Sequence, residues 1–107
     1  FASVNEGFPN SVIEAMSSGL PIAAFNIEGI LPFIVSSGKD GIIVPCGDRE
    51  ALAREVLRLS ENAALRAELG RASRATAVER FSLAKEAEAH AKLYWTVYEQ
   101  RRKWSRL

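Results

Sequence analysis

Three short apolar runs, each marked off by a turn signal and separated from the next by a helix-forming stretch, constrain the fold of this chain more than any other feature. Phe1-Ala2-Ser3 precedes a Gly/Pro turn, Pro21 to Phe25 follows Gly19, and Gly41-Ile42-Ile43-Val44 is stopped by Pro45. Runs this short and apolar read as buried strands, and strands separated by helices pair in parallel through crossovers. The expected fold is α/β: half of a Rossmann-like, doubly wound parallel sheet of about three parallel strands, with a helical C-terminal part.

Helices are expected over Ser11 to Ser18, in a short turn around Leu31 to Val35, and over Arg49 to Leu59, Ala63 to Glu79 and Leu83 to Trp104. Asn10, Asp48, Asn62 and Ser82 stand where N-caps belong, and Gly19 where the first helix should stop. Charge then divides the chain. Residues 1–47 carry five charged side chains and residues 48–107 carry 22, so sheet and site are expected in the first part and helical surface in the second. A net charge of +1 offers no concentrated basic surface, so nucleic acid is not an expected partner. Cys46 is alone, which excludes an internal disulfide or zinc framework and leaves it as a small apolar residue after a strand. No apolar run approaches the length of a membrane span.

The segment from Glu6 to Pro21 places two carboxylates, Glu6 and Glu14, eight positions apart across a loop-to-helix junction. Glu6 sits in a turn beside Gly7 and Pro9, and Glu14 falls about a turn into the helix, so both can face one cavity beyond the preceding strand. A helix start of this kind aims backbone N–H groups at an anion. The carboxylates are poor phosphate ligands but good acceptors for hydroxyl groups, as a ribose or hexose would offer. Gly7 permits close approach of backbone to ligand, while Pro9 stiffens the turn and has no N–H to give. A bare pair of glutamates would be an ordinary loop acid and an ordinary helix-face acid. The functional reading comes from the motif in register with Gly7, Pro9, Ala15, Gly19 and Pro21.

Glu6 and Glu14 in an E-x7-E spacing, with the embedded Gly-Phe-Pro and the trailing Glu-Ala-Met-x-x-Gly-x-Pro, resemble the signature of retaining GT-B glycosyltransferases of family 4. The resemblance continues through Pro21 to Phe25, Gly29-Ile30, Gly38 to Pro45, Gly47-Asp48 and Arg80-Phe81-Ser82, strongly to Asp48 and loosely beyond. It implies that residues 1–107 are the second half of the C-terminal, donor-binding domain of a longer enzyme. Position by position, Glu14 is similar to the acid that takes the ribose hydroxyls of a nucleotide diphosphate sugar. Glu6 resembles the catalytic-site acid that hydrogen-bonds the donor hexose near its 3-hydroxyl. The Gly7 and Phe8 backbone resembles the stretch lining the sugar, and the Asn10 and Ser11 amides those receiving the diphosphate.

The resemblance implies glycosyl transfer from a UDP- or GDP-linked sugar to an acceptor hydroxyl, with configuration retained, on a glycan or lipid-linked acceptor. No cofactor and no metal are implied, since GT-B enzymes use cationic and dipolar groups instead and no Asp-x-Asp motif is present. The Arg and Lys supplying that charge belong to the earlier half of the domain, so the fragment alone is expected to be inactive. The implied location is cytoplasmic, with peripheral contact at the inner membrane face as a further option. One departure bears on donor preference: relatives carry Gly-Gly-x-Pro-Glu or Gly-Pro-x-Glu where this chain reads Glu28-Gly29-Ile30-Leu31-Pro32-Phe33-Ile34.

Two other classes stay open: a GT-B phosphorylase or epimerase relative, and a non-catalytic donor-domain module kept for oligomerisation or scaffolding. Leu83, Ala87, Ala91, Tyr94 and Tyr98 follow one face of the last helix, which ends in Arg101-Arg102-Lys103-Trp104-Ser105-Arg106. Packing of Tyr94, Trp95 and Tyr98 on the domain is the preferred account of that face, ahead of a membrane-surface contact. In intact relatives this helix crosses toward the N-terminal domain, which would leave its stripe bare here. An unpaired edge at Phe1 to Ser3, or the last helix, is expected to support a homodimer.

Overall fold

The computed structural model describes residues 1–104; Ser105 and Arg106 of the basic aromatic end lie outside the described residues, as do the side chains of Lys103 and Trp104. Its elements are α1 (Asn10–Ser17), β1 (Ile22–Phe25), α2 (Leu31–Ile34), β2 (Gly41–Val44), α3 (Arg49–Glu61), α4 (Ala63–Arg80) and α5 (Leu83–Trp104). β1 and β2 pair in parallel, from Ile22 opposite Gly41 to Phe25 opposite Val44. The Asn26 amide extends the ladder to the Val44 carbonyl at 2.7 Å. Parallel neighbours require a crossover, which α2 and its flanking loops supply.

On the other edge of β1, the Phe1 nitrogen donates to the Ala23 carbonyl at 2.7 Å, and the Phe25 amide donates to the Phe1 carbonyl at 3.2 Å. This is parallel pairing one residue long. The expected α/β fold stands, but its first strand needs correction: two strands form, and Phe1 alone takes the third place. The chain bends away because the Ser3 hydroxyl turns onto the Asn5 carbonyl at 3.2 Å and onto the Glu6 carboxylate at 2.7 Å.

Helices cover both faces of this small sheet because the strand side chains alternate. Ile22 and Ala24 are buried with Val12 and Met16 of α1, Leu31 and Ile34 of α2, Val35, and Ala77 of α4. Phe25 points to the other face, where it lines a cavity with Leu52 and Val56 of α3. Two of the expected caps hold: the Asp48 carboxylate accepts from the Ala51 amide, and the Asn62 side-chain carbonyl from the Leu65 amide, each at 2.9 Å. Ser82 lies farther from its target, 3.4 Å from the Lys85 amide. Asn10 does not cap α1. Pro9 holds the N-cap position, with φ −80° and no side-chain bond, and Asn10 is the first helical residue. The ring-restricted φ of Pro9 sets that boundary one residue earlier than the polar residue suggests.

α1 ends where Gly19 adopts φ +75°. There the Gly19 amide donates to the Met16 carbonyl at 2.9 Å and the Leu20 amide to the Ala15 carbonyl at 3.1 Å, a Schellman closure. Its C-terminus rests on α4. A Cβ at Gly70 would fall within van der Waals contact of the Gly19 carbonyl oxygen, so the backbones touch where no side chain fits. One turn on, the Arg74 guanidinium donates to the Ser17 carbonyl at 2.6 Å, placing a cation at the negative end of α1. At the other end of α4, Phe81 meets the ring of Phe8, just before α1 begins. The two helices therefore run antiparallel.

Asp40 fixes the loop before β2 from inside. It is 1% exposed, and its carboxylate accepts from the Ser36 amide at 2.7 Å and from the Thr76 hydroxyl of α4 at 2.8 Å. A buried carboxylate is tolerated only when its oxygens are bonded in this way.

α5 behaves differently from the other helices, since every residue from 83 to 102 is exposed. Tyr94, Trp95 and Tyr98 are 72%, 63% and 53% exposed, which corrects the expectation that they pack on the domain. The helix leads away from the sheet, and among the described residues the rings meet near neighbours: His90 stacks on Tyr94, and Trp95 lies against Tyr98.

Gly70→Ala should lower stability by about 1–3 kcal/mol, the usual cost of overpacking when the obstacle is backbone. Urea unfolding followed by circular dichroism checks this; an unchanged midpoint would show that α1 and α4 do not rest on each other at Gly19.

Candidate functional site

Loops 2–9, 26–30 and 45–48 all leave the same end of the parallel sheet, following the carboxyl ends of Phe1, β1 and β2. In open α/β sheets this is the end at which ligands bind. Loop 2–9 carries Glu6, and α1 then carries Glu14.

Glu6 is partly buried, and the Ser3 hydroxyl holds one of its carboxylate oxygens at 2.7 Å. That bond orients one oxygen. Gly7 is open on the side where a side chain would stand, with nothing within 4 Å. Phe8 is 51% exposed, and its ring packs edge-on against Phe81 with centroids 6.5 Å apart. Pro9 is buried beneath the turn.

At the start of α1 the Asn10 amide donates back to the Phe8 carbonyl and the Val12 amide to the Pro9 carbonyl, both at 3.0 Å. Among the described residues, the Ser11 amide between them has no acceptor on the chain. Val12 and Met16 are buried, whereas Asn10, Ser11 and Glu14 are exposed. Spacings of three and four residues put Glu14 on one helical face with Ser11 and Asn10. The structure thus gathers a carboxylate, a hydroxyl, a carboxamide and an unengaged amide at the positive end of α1. Such a face offers acceptors to hydroxyl groups and a donor to an anion.

Two cavities among the described residues lie beside this region and a third lies apart from it, and neither Glu6 nor Glu14 lines them. One of about 570 Å³ opens between loop 2–9 and α3, lined by Val4, Phe25, Gly47, Arg49, Leu52 and Val56 among others. Another of about 290 Å³ runs under α1 past Phe1, Ser11, Val12 and Ala15. The third, about 620 Å³, is remote, at the α3–α4 corner beside Arg54, Arg58 and Glu61.

The short α2 helix of the divergent segment stands close by. Phe33 meets Phe81 edge-on at 6.3 Å between centroids, so the rings of Phe8, Phe81 and Phe33 form a row. Glu28 and Gly29 lie in the loop leading to it, and both are exposed.

Fold and loop together define an α/β module with its polar loops at one end of a parallel sheet. The chain belongs to the glycosyl transferases group 1 family, whose model matches residues 1–62. It is 40% identical over 92 residues to a D-inositol 3-phosphate glycosyltransferase of Streptomyces bingchenggensis, covering 86% of this chain and 20% of that protein. It is 33% identical over 82 residues to the capsular polysaccharide biosynthesis glycosyltransferase CapM of Staphylococcus aureus, covering 77% of this chain and 21% of CapM. Its structure matches sucrose-phosphate synthase of Thermosynechococcus elongatus with a TM-score of 0.84 at 30% identity, over 92% of this chain and 25% of that one. The chain spans about a fifth of the length of these curated relatives. The family expected from the E-x7-E motif is the family the comparisons show.

Sequence reasoning did not single out Ser3 or Arg80. Ser3 carried a signal, a hydroxyl three residues before an acid in a turn, which is the spacing of local side-chain bonds. Arg80 entered only within the Arg80-Phe81-Ser82 match, and nothing local marked it as a support of the loop, because its Phe33 partner lies 47 residues away in sequence.

Ser3→Ala removes the hydrogen bond to Glu6 and should cost about 1 kcal/mol in a partly exposed setting. Denaturant titration checks this through a lowered midpoint with unchanged slope; an unaltered midpoint would mean the Ser3 contact does not hold the loop in solution.

Proposed function

We propose that this chain is the second half of the donor-binding domain of a retaining glycosyltransferase, with residues 1–47 forming the donor half-site and 48–107 the helical surround. The observation that carries this reading is the shared exposed face of Asn10, Ser11 and Glu14 at the start of α1, next to a Glu6 held by Ser3. Glu14 accepts from the ribose hydroxyls of a UDP- or GDP-linked sugar. Glu6 accepts from the hexose near its 3-hydroxyl, on the oxygen not engaged by Ser3. The Ser11 amide and the α1 dipole face the diphosphate, while the Gly7 and Phe8 backbone lines the sugar.

In the reaction, the acceptor oxygen forms a bond to the anomeric carbon on the face from which the diphosphate departs. The carbon–oxygen bond to the diphosphate breaks with its electron pair, and the acceptor proton passes to the departing phosphate. Stabilising that leaving group requires cationic groups beyond those beside α1, so the chain alone is inactive. The acceptor is a hydroxyl of a sugar, polyol or growing glycan, in keeping with the inositol phosphate and capsular polysaccharide named in two relatives. On this reading the intact enzyme works in the cytoplasm, beside its nucleotide-sugar donor. None of the described helices is long and apolar enough to cross a membrane.

The bare face of α5 supports an association role. Leu93, Tyr94, Trp95, Val97 and Tyr98 are each at least half exposed, more apolar surface than a lone helix normally leaves uncovered. In the intact protein the N-terminal domain covers it; in the isolated chain a second copy does, and the membrane surface is the lesser option.

Saturation-transfer NMR with UDP, GDP and their sugar conjugates tests the donor half-site at the weak, about millimolar, affinity of a partial site. Ribose-proton signals are expected for one base and lost in Glu14→Ala, with no turnover of any nucleotide sugar. Equal signals in wild type and Glu14→Ala, or measurable turnover by the chain, would overturn the reading.

A further inference from the structure

We infer that Arg80 is a positioning residue for the Glu6–Glu14 loop, acting through Phe81 and Phe8. The argument starts at the end of α4, where Arg80 is the last helical residue and Phe81 its C-cap. The Arg80 guanidinium lies beside two rings that touch edge-on, 5.0 Å from the centroid of Phe33 and 4.9 Å from that of Phe81. It also donates to the Phe33 carbonyl at 2.7 Å. One planar cation therefore ties α4 to α2 by stacking and by a hydrogen bond, a combination available to arginine and not to lysine.

Phe81, held in this way, presents its ring to Phe8 at 6.5 Å and an interplanar angle of 63°, the favoured edge-to-face geometry. Phe8 stands two residues after Glu6 and six before Glu14. Upstream, the loop is held by Ser3 on Glu6; downstream, the Asn10 amide bonds the Phe8 carbonyl. Gly7 offers no side chain, so the Phe8 ring is the contact by which the middle of the loop meets α4. The direction of Gly7 and Phe8, and with it the separation of the two carboxylates, follows from where Phe81 is fixed.

The competing account makes Arg80 a stabiliser of α4 only, a cation at a helix C-terminus. The two accounts differ in where a loss is felt. A stabiliser changes amide exchange across the whole chain through the global unfolding equilibrium. A positioning residue opens residues 7–12 locally and leaves the Gly19 end of α1 unchanged.

The test is hydrogen exchange by NMR on the full chain, comparing wild type with Arg80→Ala, Arg80→Lys and Phe33→Leu. The expected result is a rise of about tenfold in exchange at Asn10 and Val12, whose amides bond the Phe8 and Pro9 carbonyls, in Arg80→Ala, with Gly19 and Leu20 within about twofold of wild type. Arg80→Lys recovers part of the protection by keeping a cation beside the rings. Phe33→Leu, a milder change that removes one of the two rings beside Arg80, loosens the same residues. Adding Phe8→Ala to Arg80→Ala should loosen the loop no further than either change alone, because both break one chain of contacts. Uniform acceleration across the chain, unchanged rates at residues 7–12, or strict additivity of the two changes would each overturn the proposal.

A ligand arm rests on the donor-site reading and uses UDP as the probe. Weaker UDP binding in Arg80→Ala, by about tenfold, extends the positioning role to the ligand. Wild-type chain that binds no UDP while Arg80→Ala loosens only the loop would sink the donor-site reading and leave the positioning role standing.

Discussion

The contact between the backbones of Gly19 and Gly70 governs the placement of everything that bears on the site. It sets the distance between α1 and α4 at one end, and because the helices are antiparallel it also determines where the far end of α4 falls. That far end is Phe81, beside Phe8. The left-handed turn at Gly19 is permitted by the missing side chain, and the close approach by the missing side chain of Gly70. Arg74 then ties the same end of α1 electrostatically through the Ser17 carbonyl. A loop with few hydrogen bonds of its own is thus oriented from below by a helix held against α1 at Gly70 and Arg74 and meeting the loop at Phe81.

Much of this was legible in the sequence, and the unread parts have physical reasons. The strands at Ile22–Phe25 and Gly41–Val44 and the caps at Asp48 and Asn62 follow from local rules, so the residues themselves announce them. Gly19 announced the end of α1, but nothing local marks Gly70, since its reason lies in another element. Asn10 was misread as a cap because the Pro9 ring, not the polar side chain, sets the boundary. Phe1 to Ser3 looked like strand, yet Ser3 turns its hydroxyl back on the loop and ends the pairing after one residue. The aromatic residues of α5 had a readable period, but period says nothing about what covers a face.

The site divides in the same way. Glu6, Gly7, Phe8, Asn10, Ser11 and Glu14 were all nominated from the motif, and the structure places them on one loop and the first turns of one helix. The supports of that loop, Ser3, Phe33, Arg80 and Phe81, were not singled out as such. Ser3 acts locally, while the other three meet only after the chain has folded through the sheet. Phe33 sits on the short helix α2, and its ring is engaged by a cation from α4.

The central claim is that the loop and first turn of α1 form the ligand-binding surface, and chemical-shift mapping of backbone amides during titration with UDP and GDP tests it most directly. The account predicts saturable shifts concentrated between Glu6 and Glu14, with Ser11 among the largest. Shifts centred on the cavity beside Arg54, Arg58 and Glu61, or no saturable shifts with either nucleotide, would contradict it.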